Sequence, residues 1–147
     1  MREQMNSHDP EKKATLKVRM AQHLDEIRDA QRLRYRIFAE DMGAKLHTLV
    51  PGHDVDEFDD YCQHLLVWDE SAEMIAGYTR VLLHEDAQRA GRFYSETEFH
   101  LGTVLARSGR FMELGRTCIH PNYRNGLTIA TLWMGVAEIL QSQRYDY

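Results

Sequence analysis

The chain has 147 residues, 43% of them hydrophobic and 28% charged, with a formal net charge of -5. That composition describes one globular domain and excludes fibrous and low-complexity proteins, while the negative balance, with no basic face interleaved with aromatics, excludes a nucleic-acid reader. The longest apolar stretch, Leu127 to Leu140, is broken by Thr, Gly and Glu138 and falls short of the ~20 apolar residues of a membrane-spanning helix.

Residues 1–13 (MREQMNSHDPEKK) carry charges of both signs and no apolar core, so they read as a flexible leader rather than a signal or transit peptide, and the protein is expected in the cytoplasm. From Ala14 to Ala21 the residues Leu16, Val18 and Met20 alternate with Thr15, Lys17 and Arg19, the period of a strand with one buried face. Asp25 to Met42 reads as a helix. Its apolar positions Ile27, Ala30, Leu33, Ile37 and Phe38 recur at three and four residues, Arg28, Arg32, Arg34 and Arg36 make the remainder basic, and Met42-Gly43 ends it. Pro51 to Asp60 (PGHDVDEFDD) holds five carboxylates in the seven residues from Asp54 to Asp60 and is expected to be a loop outside the core.

His64–Asp69 and Met74–His84 are rich in β-branched and aromatic residues on either side of a turn, which predicts a β-hairpin. Glu85 to Gly109 is mostly polar and is expected to be a long connection with a short helix around Glu96 to Arg107. Arg110 to Ile119 reads as a further central strand and His120 to Gly126 as a loop. A helix from Thr128 to Gln143 follows, with Ile129, Leu132, Trp133, Val136, Ile139 and Leu140 on one stripe. A strand, loop and helix in this order normally lead back to the sheet through a parallel strand, for which no residues remain after Tyr147.

Three constellations could carry chemistry. Glu113 and Arg116, three apart in a strand, would face opposite ways unless a bulge at Gly115 brought them together; from spacing alone a structural ion pair is the commoner outcome. The acidic run could be a solvated loop, or it could neutralise arginines of the preceding helix, hold a hard cation or bind a substrate amine; its spacing is not that of a calcium loop. At Arg124-Asn125-Gly126 a helix N-terminus beside an arginine could hold an anion or be an ordinary cap. The eight His residues lack metal-site spacing, and Cys62 and Cys118 lack that of a zinc site or a disulfide framework, as for free thiols in a reducing compartment.

RYRIF (Arg34 to Phe38), DVDEFDDYC (Asp54 to Cys62), the strand with Gly77 and Arg80, GRFYSETEFHL (Gly91 to Leu101), MELGRTCIHPNYR (Met112 to Arg124) and TLWMGVAEIL (Thr131 to Leu140) follow one another in this order. Together they resemble the ornithine-lipid N-acyltransferases, or hemolysin-like proteins, relatives of the acyl-homoserine-lactone synthases within the Gcn5-related N-acyltransferase (GNAT) fold. The resemblance implies an α+β fold of α/β/α layers, a mixed sheet with flanking helices, of which residues 14–147 form the N-terminal part without the last strands.

It also implies transfer of a 3-hydroxylated fatty acyl group from acyl carrier protein to the α-amino group of L-ornithine. By that similarity Glu113 is the base, acting directly or through water, and Arg116 is its orienting partner. With Phe38 in the same set, Asp56 and Asp59 would form a charged cluster with Arg34, Arg80 and Arg116 that orders the N-terminal helix and loop over the substrate, and backbone N–H groups near Leu114 to Cys118 would hold the oxyanion. The family's coenzyme A users keep small residues where this chain has Leu127 and Ile129. Arg124, Asn125 and Gly126 are therefore expected to hold the single phosphodiester of a carrier-protein donor, with acyl-coenzyme A the poorer donor and no bound cofactor or metal. Arg28, Arg32 and Arg36 would guide the acidic carrier, and membrane contact would be peripheral. The alternatives are a non-catalytic module binding carrier protein or lipid, and an acyl-homoserine-lactone synthase.

Overall fold

The computed structural model describes residues 13–147, so the expected leader lies, apart from Lys13, outside the described residues. Strand β1 (Leu16–Met20) leads through a His23 cap, closed by the Glu26 carboxylate, into helix α1 (Leu24–Tyr35). Its last turn widens into a π-helical segment, Arg36–Asp41, before Gly43 at φ +71° stops it. Strands β2 (Gln63–Asp69) and β3 (Met74–Leu83) form the expected hairpin. A long connection containing α2 (His84–Ala90) and α3 (Gly102–Leu105) reaches β4 (Met112–Ile119), and α4 (Leu127–Ser142) follows.

The sheet order is β1-β2-β3-β4, and every pair among the described residues is antiparallel rather than mixed. Among the described residues strand β4 stands at the end of the sheet, paired with β3. At its start the backbones of Asp146 and Tyr147 donate to the Arg110 carbonyl, and the Met112 N–H donates to that of Tyr147.

Period-two alternation, shifted by one residue where Val67 pairs with Gly77 and Trp68 with Ile75, divides the core between the two faces of this sheet. Leu65, Val67, Ala76, Val81 and Leu83 point toward α4, and Leu66, Ile75 and Tyr78 point toward α1. Helix α4 buries Leu132, Val136 and Ile139, each contributing roughly 1.5–3 kcal/mol by leaving water. Trp133, expected on that stripe, is 46% exposed, because the helix approaches β1 through Gly135 instead.

Two expectations fail in the loops. The connection after β3 contains α2, whose polar sequence HEDAQRA hides its helicity, and a 3-10 turn at Tyr94–Thr97 precedes the expected helical segment. The acidic run is not a solvated loop. It folds into a 3-10 turn, Glu57–Asp60, with Asp54, Phe58 and Asp59 buried, because three arginines from other elements meet its carboxylates.

Candidate active site

The acidic turn fixes its own carboxylates before any arginine reaches them. Asp56 Oδ1 accepts from the Phe58 N–H at 3.0 Å and Asp59 Oδ2 from the Asp56 N–H at 3.1 Å, which aims both side chains at the sheet. Arg34, from α1, has no exposed surface. Its Nε donates to Asp54 Oδ2 at 2.8 Å, and its Nη1 and Nη2 donate to Asp59 at 2.7 and 3.3 Å. Arg80, from β3, makes a forked pair to Asp56 at 2.6 and 2.8 Å and a third bond to Asp59 at 3.0 Å. From β4, Arg116 Nε donates to Asp54 Oδ2 at 2.9 Å, and its Nη2 lies 3.5 Å from Asp56.

Three guanidiniums thus meet three carboxylates. Burial alone would raise the Asp59 pKa; the Arg34 hydrogen bond and the charges of Arg34 and Arg80 override it and hold the carboxyl below its usual range. Burial likewise works against the charge on Arg34 and Arg80, and their aspartates raise both above the ordinary guanidinium value. Beneath the cluster the His64 ring accepts from the Tyr78 hydroxyl at Nδ1 (2.7 Å) and donates from Nε2 to the Asp59 carbonyl (3.0 Å).

Strand β4 bulges where it passes this cluster. Tyr78 pairs with Cys118 and Arg80 with Gly115, which leaves one extra residue on β4. The left-handed residue is Arg116 itself, at φ +53°, rather than Gly115, a conformation that costs an L-residue about 1–2 kcal/mol. Gly115 serves by being small: a Cβ there would stand 3.4 Å from Arg80 Nε. Across the bulge Glu113 and Arg116 both reach Tyr94, one at its backbone and the other at its hydroxyl, without an ion pair between them. The two Glu113 oxygens accept the backbone N–H groups of Tyr94 and Ser95, each at 2.9 Å, and the Tyr94 ring lies between the guanidiniums of Arg80 and Arg116, 5.3 and 5.1 Å from its centre. The Tyr94 hydroxyl accepts from Arg116 Nη1 at 3.3 Å and donates to Glu98 Oε1 at 3.2 Å.

A cleft of about 840 Å³ opens over this wall, lined by Arg116, Asp56, Glu57, Tyr94 and Glu98 and by the strap from Lys45 to Leu49. Glu113 is not among the cleft's lining residues; its carboxylate is held against the Tyr94–Ser95 backbone. Phe38 stays out of the ion cluster and, with Leu46, Arg116 and Thr117, lines a neighbouring hollow. Arg124, Asn125 and Gly126 form a separate group before α4: Arg124 Nε donates to the Ile119 carbonyl at 3.2 Å, Asn125 Oδ1 accepts the Leu127 N–H at 3.2 Å, and Gly126 caps the helix at φ +86°. Among the described residues no group of His, Cys, Asp and Glu is arranged to hold a metal ion. Sequence reasoning counted Asp54 in the acidic run without giving it a role of its own, and did not single out Tyr94 or Glu98. Asp54 stands two residues before Asp56 in the acidic run, and the other two lie within FYSETEF.

An acetyltransferase (GNAT) domain matches residues 33–134. The chain is 43% identical over 131 residues to the L-ornithine N(alpha)-acyltransferase of Rhizobium meliloti (strain 1021), an alignment that covers 83% of this chain and 44% of that protein. It is 34% identical to the protein of that name in Rhodobacter capsulatus, over 88% of this chain and 52% of that one, so it spans about half the length of these relatives. The solved structure of FeeM, an N-acyl amino acid synthase from uncultured soil microbes, shares the fold at a TM-score of 0.66 and 11% identity, over 89% of this chain and 68% of that one. BjaI, a coenzyme A-dependent acyl-homoserine lactone synthase, does so at a TM-score of 0.67 and 21% identity, over 90% of this chain and 64% of that one. With the matched domain running from the buried end of α1 through the bulged strand and into α4, this chain belongs to the GNAT family.

Proposed function

We propose that this domain is an N-acyltransferase that moves a 3-hydroxylated fatty acyl group from an acyl carrier protein thioester to the α-amino group of L-ornithine, the first acylation of an ornithine lipid. The observation that carries the reading is the similarity, at 34–43% identity over most of this chain, to proteins named L-ornithine N(alpha)-acyltransferase. The cleft is consistent with it. A carbonyl presented to the β4 bulge would meet backbone N–H groups near Leu114 to Cys118 as oxyanion donors. A neutral amine adds to it, the C–N bond forms, the C–S bond breaks, and the pantetheine thiolate leaves and takes up a proton.

The amine reacts only after losing a proton. Glu113 is the candidate acceptor, and a water relay suits it, because both its oxygens already accept N–H bonds and it does not line the cleft. Arg34, Asp56, Asp59, Arg80 and Arg116 hold that wall rigid, with Phe38 beside it. On the donor side, Arg124, Asn125 and Gly126 would receive the phosphodiester of a carrier-bound pantetheine. The Leu127 N–H is already taken by Asn125, which leaves less for a coenzyme A pyrophosphate. The protein would act in the cytoplasm, touching the membrane only at its surface; among the described residues no helix is long and apolar enough to cross one.

The test supplies the chain with long-chain 3-hydroxyacyl carrier protein, the matching coenzyme A ester and a panel of amino acids, and follows acyl transfer. Acylated ornithine formed faster from the carrier-protein donor is expected, with Glu113→Gln lowering turnover by ~100-fold or more. Equal turnover in that variant removes Glu113 from proton transfer. Carrier-protein binding without product, or a lactone formed from S-adenosylmethionine, replaces the reading with a binding module or a synthase.

A further inference from the structure

We infer that Glu98, assisted by Glu57, selects an acceptor with a second amino group by holding its distal ammonium ion at the outer wall of the cleft. The inference rests on the amino-acid acceptor proposed above and assigns residues to its recognition.

The argument starts from charge. Asp54, Asp56 and Asp59 are matched one for one by Arg34, Arg80 and Arg116, so the inner wall has no carboxylate left over for a cationic ligand. The outer wall differs. The Glu57 side chain is 74% exposed, and its one ion-pair contact among the described residues is Arg92 at 3.9 Å. Glu98 takes a hydrogen bond from the Tyr94 hydroxyl and makes no ion pair among the described residues. Both carboxylates line the same cleft as Arg116.

The Tyr94 hydroxyl touches Arg116 Nη1 on one side and Glu98 on the other, so the cleft presents the N–H donors of a guanidinium already paired with Asp54 and, two hydrogen bonds away, a carboxylate. A diamino acid carries the complementary pair, a carboxylate for Arg116 and a distal ammonium for Glu98. An amino acid with the same carbon chain and no distal amine fills the same space and leaves Glu98 and Glu57 without a ligand charge.

The experiment titrates L-ornithine and L-norvaline, which lacks only the distal amine, into the wild-type chain and into Glu98→Gln, Glu57→Gln and the double variant. Glu138→Gln, on the opposite side of the sheet, is the control. Ornithine is expected to bind roughly ten-fold more tightly than norvaline, with that preference reduced in Glu98→Gln, abolished in the double variant and weakened by salt, while norvaline affinity stays constant. Equal binding of the two amino acids to the wild type overturns the inference and leaves the acyltransferase reading standing, as does a preference that survives in the double variant. If no amino acid binds and none is acylated, the inference and the reading fall together.

Discussion

Arg34 is fully buried and fully charged, which is tolerable only because two aspartates and the Tyr78 hydroxyl surround its guanidinium. The same surroundings govern His64. Burial pushes its imidazole below the usual value of 6.5, helped by the charges of Arg34 and Arg80, although its bond to the Asp59 carbonyl acts the other way. As the pH drops through 6.5 the unfolded chain binds a proton at His64 that the folded chain refuses, so stability falls with pH there. Asp59, held below the ordinary carboxylate value of 3.8, adds a second loss of the same sign as the pH falls through that value. Urea unfolding between about pH 7 and pH 4 should show the midpoint declining in the upper window, and His64→Phe should flatten that part of the curve while leaving the lower part. A midpoint independent of pH from 7 to 5 in the wild type would contradict a neutral buried His64.

At the scale of elements, α4 depends on one missing side chain. A Cβ on Gly135 would collide with the Val18 side chain of β1, so Gly135→Ala forces helix and strand apart. The gain in helix propensity, about 1 kcal/mol, is smaller than the overpacking cost, and we expect a net loss of about 1–2 kcal/mol, read as a lower urea midpoint with activity unchanged. Helix α4 and the β2–β3 hairpin were legible in the sequence because their apolar residues repeat at the period of the element they build. The acidic turn was legible only through the family resemblance, which grouped Asp56 and Asp59 with Arg34, Arg80 and Arg116, since these arginines come from α1, β3 and β4 and no local pattern records them. The bulge was half legible: Gly115 pointed to it, but the left-handed residue is Arg116, which the surrounding ion pairs hold there. Helix α2 escaped notice because seven mostly polar residues carry too little periodicity to display a face.

For the molecule as a whole, a net charge of -5 would repel an acidic carrier protein, and the exposed Arg28, Arg32 and Arg36 along α1 and its π turn are the local exception. If the carrier docks there as the proposed donor, reversing these three to Glu should lower kcat/KM for the acyl carrier protein about ten-fold at low salt and leave the coenzyme A ester unaffected. Equal losses with both donors would move the docking surface elsewhere. The ion cluster that builds the cleft wall joins residues 20 to 62 positions apart and links four segments of the chain. Its Arg34 bonds need only α1 and the acidic turn, whereas those of Arg80 and Arg116 also need β3 and β4, so the cluster is complete only once those two strands lie in register. The complete cleft wall therefore exists only with the assembled sheet, which makes its persistence a reporter of global unfolding.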